Sequence, residues 1–237
     1  MTNIYINIAI TGSVNQVLTE LLDKIEVSGL YDHCDKIFLV INGDKNLLNF
    51  EMKSKYVIYN PHKDISHCEF PTLDLMWTHS QKNDNIKMLY LHTKGVTKPN
   101  HSGVRDWTEY LTFFNVERWQ HRVAELENYD VTGVNYGGNP EDYKEDPLTW
   151  GHGKAPLHFS GNFWWSKSSH IKTLKNPYDY VKNDNYMRYR VACEMWVCSN
   201  LDAYNEGKYY GAWHSNVNHY TTLYPREKYE PFAHYTH

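Results

Sequence analysis

The residues most able to do chemistry stand at the end of segment 87–95, where an apolar run is followed by His92, Thr93, Lys94 and Gly95. Apolar runs of this length are typical of buried strands, and the polar cluster falls where the chain must turn. In an open α/β sheet, ligands bind outside the carboxyl ends of the strands. A cation beside hydrogen-bonding side chains at such a place suits an anion such as a diphosphate. The alternative is a polar β-turn that only ends a strand.

Two further sets of side chains could bind metal or could be structural. His214 and His219 lie in a segment without strong periodicity, where they could contact a metal or a phosphate. The chain has 14 histidines, so such a pair also arises by chance. The cysteines form no CxxC pair and fit no zinc ribbon, so we expect mostly buried thiols in a reducing compartment. They are Cys34, Cys68, Cys193 and Cys198.

Hydrophobic periodicity predicts the elements that must position these groups. Strands are predicted over residues 4–10, 36–41, 56–59 and 88–91. Pro61 is expected to stop the third strand. A capping box of Ser13 and Gln16 begins the first helix, and a left-handed Gly29 closes it. Thr72 is predicted to cap the second helix. This βαβ rhythm implies a mostly parallel sheet with right-handed crossovers.

The second half of the chain has a weaker pattern. A long helix is predicted from about Arg105, followed by a strand over 130–135, a strand over 159–166 and a helix over 188–201. Residues 137–156 are rich in Gly, Pro and charge, and the length of this loop is typical of a functional loop. After Gly207 the chain is aromatic and rich in histidine, without a strong period.

Length and composition exclude several classes of protein. A chain of 237 residues suits one α/β domain. A formal net charge of −4 and the lack of a basic stripe argue against a nucleic-acid partner. No secretory leader or apolar run long enough to span a bilayer is visible, so we expect a cytoplasmic protein without a transmembrane segment. Aromatic residues reach 15%, which hints at carbohydrate binding without establishing it.

The order of four motifs resembles a family of small GT-A-type glycosyltransferases found in bacterial surface-polysaccharide clusters and in large viruses. The motifs are LYLHTKG at 89–95, RDW at 105–107, HFSGNFWW at 158–165 and EMW at 194–196. The resemblance extends from the first strand to about His219. It implies a single GT-A (Rossmann-like) domain over residues 1–237, with a nucleotide-sugar half at 1–135 and an acceptor and catalytic half at 136–237. For a viral member, the location implied is the host cytoplasm.

The resemblance also implies a nucleotide-sugar donor, expected to be a UDP-sugar, and a glycan or other hydroxyl acceptor. Residues at the first two strand ends would contact the nucleoside, and the cluster after the fourth strand would contact the diphosphate. The donor set is Thr11, Gly12, Asn42, Gly43, His92, Thr93, Lys94, Gly95, Arg105, Asp106, Ser160, Gly161 and Asn162. One of Trp164 and Trp165 would face the acceptor while the other packs in the core, since they alternate across a strand. Structural alternatives are an acidic first helical turn for Asp106 and a bulge for Gly161.

One departure from the family's usual pattern concerns the metal. No Asp-x-Asp motif, the usual holder of Mn²⁺ or Mg²⁺ against the diphosphate, follows the fourth strand. Lys94 and His92 could instead neutralise the leaving diphosphate as fixed cations. A metal held by other residues, with His214 or His219 as a late ligand, is the alternative. Metal independence is the expectation we favour.

Glu194 is the candidate general base, because an inverting transferase needs a carboxylate to deprotonate the acceptor hydroxyl. The structural alternative is an i, i+4 ion pair with Arg190. A retaining enzyme would need no such base, so the stereochemical course stays open. Two other functions also stay open: a non-catalytic carbohydrate-binding domain, and a metal-dependent hydrolase with His92, His214 and His219 as ligands.

Overall fold

The central sheet is mostly parallel. The computed structural model describes residues 1–145, 154–180 and 190–232. Its main strands are β1 (Thr2–Ala9), β2 (Lys36–Asn42), β3 (Tyr56–His62), β4 (Lys87–His92), β5 (Val131–Gly133), β8 (Trp164–Lys167) and β9 (Tyr209–Gly211). The strand order in this part of the chain is β3-β2-β1-β4-β8-β5-β9, and β8 runs antiparallel to both of its neighbours. A separate hairpin joins β6 (Tyr136–Gly137) to β7 (His158–Phe159). The predicted single α/β domain with a mostly parallel sheet and flanking helices is confirmed.

Helices cover both faces of this sheet. In chain order they are α1 (Val14–Val27), α2 (Leu30–His33), α3 (Phe70–Lys82), α4 (Ser102–Thr112), α5 (Trp119–Glu125), α6 (Ser168–Ile171), α7 (Pro177–Tyr180), α8 (Arg190–Met195) and α9 (Leu201–Asn205). A π-helical turn over Phe113–Glu117 joins α4 to α5. Short 3₁₀ turns lie at Lys45–Leu47, Pro140–Lys144, Trp196–Cys198, Arg226–Lys228 and Glu230–Phe232.

The core has two layers because successive strand residues point to opposite faces of the sheet. Ile4, Ile6 and Ile8 pack on one face with α1 and α4. Tyr5, between them in sequence, packs on the other face with α3. Gly29, at a φ of +76°, follows the end of α1 in the predicted left-handed conformation. Burial on both faces explains why the first strands appear in the sequence as apolar runs.

The chain changes direction across the sheet between β1 and β4. From β1 it steps to β2 and β3 on one side, and it then returns to place β4 on the other side of β1. Because β1 and β4 are parallel, both carboxyl ends lie at the same edge. In open α/β sheets such a switch point leaves a crevice for a ligand. The fold therefore places residues 9–13 beside residues 92–98.

Two predicted element boundaries in the first half are wrong, in both cases because the surroundings of the residue in the fold outweigh its local preference. Pro61 lies inside β3, which continues to His62, because an edge strand can include a residue without a backbone N–H. Thr72 lies inside α3, which begins at Phe70 after Glu69 and has Pro71 in its first turn. Its hydroxyl donates to Asn7 Oδ1 instead.

The predicted capping box at Ser13 is also wrong. The Ser13 side chain makes no capping hydrogen bond; its hydroxyl donates to the carbonyl of Val96 at 3.3 Å. Gln16 donates to Glu20, one turn further along α1. These contacts join the start of α1 to the loop after β4.

The second half differs more from its predicted elements. The strand predicted over 159–166 is two strands, β7 and β8, separated by a turn at residues 160–163. Strand β9, which follows Gly207, had no periodic signal. Part of the predicted loop (146–153) and the first two residues of the predicted helix at 188–201 lie outside the described residues. The rest of that helix is α8 and a 3₁₀ turn.

The predicted burial of the cysteines is mostly confirmed, since Cys34, Cys193 and Cys198 are buried thiols outside any disulfide and Cys68 is half-buried. Across residues 1–145, 154–180 and 190–232, the helices are all too short or too polar to cross a bilayer.

Candidate functional site: the strand-end cleft

A cleft of about 360 Å³ opens at the switch point between β1 and β4, and we call it the strand-end cleft. Its floor is formed by the ends of these two strands. Its walls come from the segment before α3, the loop after β4, α8 and the C-terminal segment. The lining residues are Asn7, Ala9, Thr11, Ile65, Cys68, Glu69, His92, Thr93, Lys94, Gly95, Val96, Thr97, Lys98, Val104, Arg190 and Tyr220.

Lys94 is a half-buried cation in this cleft. Its Nζ lies 3.6 Å from the centroid of the Trp107 ring, a cation–π contact. Within the described ranges it forms no ion pair with a carboxylate. Burial lowers the pKa of Lys94 to about 8, while the more distant charges of Glu194 and Glu69 oppose this shift. A desolvated cation without an anionic partner is available to a ligand.

Two more cations line the cleft. Lys98 is exposed on the loop after β4, with its Nζ 5.2 Å from the centroid of the Tyr220 ring. Arg190, the first residue of α8, also lines the cleft. Partial desolvation lowers the pKa of the exposed Arg190, but the negative charges of Glu69 and Glu194 outweigh this effect and raise it. Neither carboxylate lies within ion-pairing distance of its guanidinium.

Glu69 is the carboxylate of the cleft wall and is held in place by neutral donors. It is 4% exposed, and its Oε2 accepts hydrogen bonds from the Tyr90 hydroxyl at 2.7 Å and from Asn162 Nδ2 at 2.5 Å. Tyr90 belongs to β4, and Asn162 belongs to the turn before β8. Two structural elements therefore fix the orientation of one charge.

His92 does not act as a cation in this structure, which corrects the expectation that it neutralises a diphosphate. Its side chain is buried at the end of β4, and its Nε2 donates to the carbonyl of Gly161 at 3.1 Å. Burial, supported by the nearby charge of Lys94, lowers the pKa of His92 to about 3. The imidazole is therefore neutral near pH 7, and it joins β4 to the turn before β8.

The residues around Lys94 mainly determine the backbone conformation and packing of the loop, and offer few hydrogen-bond donors to the cleft. Thr93 Oγ1 accepts from the backbone N–H of Ala9 at 3.2 Å and so links β4 to β1. Gly95 has a φ of +86°, which glycine adopts without strain. Gly12 has a φ of +52°, and a Cβ there would lie 2.1 Å from the carbonyl oxygen of Val96. Thr11 and Gly95 line the cleft, whereas Gly12 permits close packing beside it.

Asn42 and Gly43 brace the cleft from below and do not line it. Asn42 is 1% exposed, and its Nδ2 donates to Asn7 Oδ1 at 2.8 Å and to the carbonyl of Cys68 at 3.0 Å. Gly43 has a φ of +121°, and a Cβ there would lie 2.5 Å from the Cβ of Ile10. The expectation that these two residues reach a nucleoside is wrong for this conformation, because the second strand ends in a closed network.

Arg105 and Asp106 do not line the strand-end cleft, although Arg105 lines an adjoining pocket together with His92, Lys94 and Gly95. Arg105 is exposed on α4, with its guanidinium 3.8 Å from the carboxylate of Glu20 on α1. Asp106 Oδ2 accepts the backbone N–H of Tyr224 at 2.6 Å, which anchors the C-terminal segment on α4. The predicted donor contact of Asp106 therefore receives no support from the geometry, whereas that of Arg105 stays a prediction.

Ser160, Gly161 and Asn162 form a turn that positions cleft residues from behind. Gly161 and Asn162 both have a positive φ, and a Cβ on Gly161 would lie 2.6 Å from Leu111 Cδ1. Gly161 fixes His92 and Asn162 fixes Glu69, as described above. Ser160 instead lies near the His158 ring, at 3.4 Å. None of the three lines the strand-end cleft, so the geometry gives no support to their predicted direct contact with a donor sugar.

The prediction that one of Trp164 and Trp165 faces an acceptor is wrong. Both side chains are 0% exposed. They do alternate across β8, but that strand lies inside the sheet and helices cover both of its faces. Trp164 Nε1 donates to Asn162 Oδ1, and Trp165 Nε1 donates to the carbonyl of Asn115.

The histidine pair is divided between packing and solvent. His219 is buried, its ring lies parallel to that of Trp107 at a centroid distance of 5.1 Å, and its Nε2 hydrogen-bonds with Ser215 Oγ. His214 is exposed. Residues 1–145, 154–180 and 190–232 contain no group of three His, Cys, Asp or Glu side chains able to hold a metal. The pair therefore gains no third ligand there, and the same holds for the set that includes His92.

No protein-family model and no curated protein matches this chain. The argument for a function therefore depends on the geometry of the site.

Glu194 is half-buried on α8, one turn after Arg190. The predicted structural alternative, an ion pair between these two residues, does not form. The charge of Glu194 raises the pKa of Lys94 and opposes the lowering of the pKa of His92. The carboxylate is therefore close enough to the cleft to act on its charges while it is bonded to none of them.

Sequence reasoning missed Glu69, Lys98 and Tyr220 as lining residues and took Arg190 only as a partner for Glu194. One signal was present for Glu69, since Pro71 in the first turn of a helix marks its beginning and places Glu69 at the edge of the cleft. Tyr220 has no comparable signal, because it depends on how the C-terminal segment returns over α4.

Proposed function

We propose that this protein is a glycosyltransferase of the GT-A type that binds a nucleotide-diphosphate sugar in the strand-end cleft. The observation that carries the proposal is Lys94 at the switch point of an α/β sheet, a cation held against Trp107 and unpaired with any carboxylate in the described part of the chain. Such a crevice is where this class of sheet binds ligands. A diphosphate supplies the negative charge that Lys94 lacks. A UDP-sugar is the donor that the motif resemblance implies.

In the proposed reaction, the acceptor oxygen attacks the anomeric carbon and the bond from that carbon to the diphosphate oxygen breaks. Negative charge then develops on the leaving diphosphate, beside Lys94. A fixed cation in a partly desolvated site stabilises such charge more strongly than it would in water. In an inverting course, Glu194 accepts the proton of the acceptor hydroxyl. Its position beside the cleft and its freedom from Arg190 support this role.

A thermal-shift screen of nucleotide sugars tests the donor site. A ligand that binds only the folded state raises stability with the logarithm of its concentration over its dissociation constant. We expect at least one nucleotide-diphosphate sugar to raise the melting temperature, while the free sugar and the nucleoside alone have smaller effects. If no nucleotide shifts the transition, with or without Mn²⁺, the proposal fails.

The variant Glu194→Gln tests the catalytic role. We expect the transfer rate to fall by about 100- to 10,000-fold, the usual contribution of a general base. Affinity for UDP should stay unchanged, because the side chain keeps its shape and contacts no phosphate. Glu141→Gln, in an exposed 3₁₀ turn, serves as the matched control and should keep full activity. Full transfer by Glu194→Gln would remove the base assignment.

A carbohydrate-binding domain without transferase activity is the second candidate, and Tyr220 is the observation that favours it. The ring is 52% exposed at the cleft, where it could stack on a sugar face. This candidate predicts binding of glycans without affinity for any nucleotide diphosphate. The same thermal-shift plate, extended with oligosaccharides, distinguishes the two functions.

A further inference from the structure

The strand-end cleft concentrates positive charge on a protein whose formal net charge is −4. Three cations line it: Lys94 and Lys98 from the loop after β4, and Arg190 from α8. None forms an ion pair within the described part of the chain. The charges of Arg190 and Lys98 both act on Lys94 in the direction that disfavours its protonated form. Like charges that share a cleft without bound counter-charges favour an anionic ligand.

The side chains of the cleft do not fit a divalent cation. Among the described lining residues, Glu69 is the one carboxylate, and its Oε2 already accepts hydrogen bonds from Tyr90 and Asn162. The Nε2 of His92 donates to the carbonyl of Gly161. Mg²⁺ and Mn²⁺ require several oxygen ligands, so this donor set is poor. Three neighbouring cations would also repel the metal.

We propose that Lys94, Lys98 and Arg190 form a cation clamp that compensates the charge of a bound diphosphate without a divalent metal ion. This inference rests on the proposed function and adds two residues to it. Two ammonium groups of the clamp come from the loop after β4 and one guanidinium comes from α8. A diphosphate in the cleft would contact cations from both elements.

Arg190 has the distinct role in this clamp. A guanidinium presents parallel N–H donors that match two phosphate oxygens, whereas an ammonium acts as a point charge. Arg190 and Glu194 are four residues apart on α8 and so share one face of that helix. The clamp and the candidate base therefore lie on one element. Since these two side chains are not paired, each is available to a different part of the substrate.

Calorimetry with UDP and with uridine, in buffer that contains EDTA, isolates the diphosphate contribution. We expect wild-type protein to bind UDP with the same affinity in EDTA and in Mn²⁺. Arg190→Ala should lower the affinity for UDP by about 10- to 100-fold, the usual loss for one charge-assisted contact. Arg190→Lys should bind UDP with intermediate affinity. Uridine affinity should be the same in all three proteins.

Lys36→Ala is the matched control, because Lys36 is exposed at the start of β2, at the opposite edge of the sheet. It removes one positive charge and should leave UDP affinity unchanged. Melting temperatures without ligand check that each variant is folded. Binding of UDP that requires Mn²⁺, or wild-type affinity in Arg190→Ala, overturns the clamp while the donor site stands. Lack of nucleotide binding by wild-type protein under every condition overturns the proposed function itself.

Discussion

Two regions of the protein each hold a cation that is partly or fully removed from solvent: the contact between α5 and β5, which we call the α5–β5 corner, and the strand-end cleft. The two cations differ in whether a carboxylate pairs with them. Arg122 in α5 is 1% exposed, and its guanidinium lies 2.6 Å from Glu125 Oε1. The other oxygen of Glu125 accepts the hydroxyl of Thr132 on β5. Lys94 contacts an aromatic ring, and no carboxylate of the described residues pairs with it. One charge is neutralised within the protein, and the other is not.

This difference separates a structural charge from a functional one. The charge of Arg122 has its counter-charge within the protein and so does not need an anionic ligand. An unpaired, partly desolvated cation destabilises the folded state unless a ligand supplies the missing charge. Arg122 therefore joins a helix to a strand, whereas Lys94 is a point at which binding energy can be gained.

The largest effect that would test this comparison is on stability at the corner. Glu125→Ala leaves the guanidinium of Arg122 buried without its counter-charge. We expect the free energy of unfolding to fall by about 3–5 kcal/mol, the usual result of breaking a buried pair from one side. Chemical denaturation monitored by tryptophan fluorescence measures this change.

The control for that variant is Glu141→Ala. Glu141 pairs with Lys144 in an exposed 3₁₀ turn, where both side chains are more than half exposed (68% and 72%). Because solvent screens such a pair, we expect a change within about 1 kcal/mol. If the two variants lost the same free energy of unfolding, burial would not be what makes the Arg122–Glu125 contact stabilising.

The parallel half of the sheet could be predicted from sequence because its signals are local. Isoleucine-rich runs specify β1 and β2, and Gly29 specifies the end of α1. Strand β9 and the turn at 160–163 depend on contacts between distant segments, which periodicity cannot show. Pro61 was expected to end β3, but β3 is an edge strand, and an edge strand can include a proline without losing a ladder hydrogen bond. Thr72 was expected to cap α3, but this helix begins two residues earlier and has a proline in its first turn.

The site was predicted less completely than the fold, because the sequence does not show in which direction each side chain points. The sequence placed Lys94 at a strand end, and the structure puts it in the cleft. It also predicted ligand contacts for Asn42 after the second strand and for Asn162 and Trp164 within a strand, but their side chains turn inward to hydrogen-bond with the protein. Tyr220 comes from a segment far along the chain. Spacing along a chain indicates which residues are near an edge, not which of them face a ligand.

A substitution of Lys94 is expected to have an effect of intermediate size, with weaker ligand binding and higher stability of the unliganded protein. Lys94→Met keeps an unbranched side chain beside Trp107 and removes the charge that contacts its ring. We expect affinity for UDP to fall by about 10- to 100-fold. The unliganded protein should become more stable near pH 7, by ~0.5–2 kcal/mol, as removal of a strained functional group often allows. Calorimetry and denaturation measure the two changes.

The matched control is Lys36→Met, which replaces an exposed lysine outside the cleft. Neither UDP affinity nor stability should change by more than the scatter typical of surface substitutions, about 0.5 kcal/mol. A Lys94→Met protein that is strongly destabilised, or one that binds UDP normally, would show that Lys94 is a structural cation like Arg122.

The smallest effect lies in the pH dependence of sugar-nucleotide affinity, which separates Lys94 from His92. Burial lowers the pKa of Lys94 to about 8, so the cation is lost as pH rises through that value, and affinity should then fall by up to ~10-fold per pH unit. The pKa of His92 is about 3, so its charge does not change and affinity should be flat between about pH 5 and pH 7. His219, with a pKa lowered by burial to about 4, is also silent in that range. Binding titrations of wild-type and Lys94→Met protein with a sugar nucleotide, at a series of pH values, measure the affinity below and above pH 7. The variant should lose the decrease in affinity at alkaline pH.

An affinity that rises as the pH falls through about 6.5 would mean that a histidine cation assists the diphosphate after all.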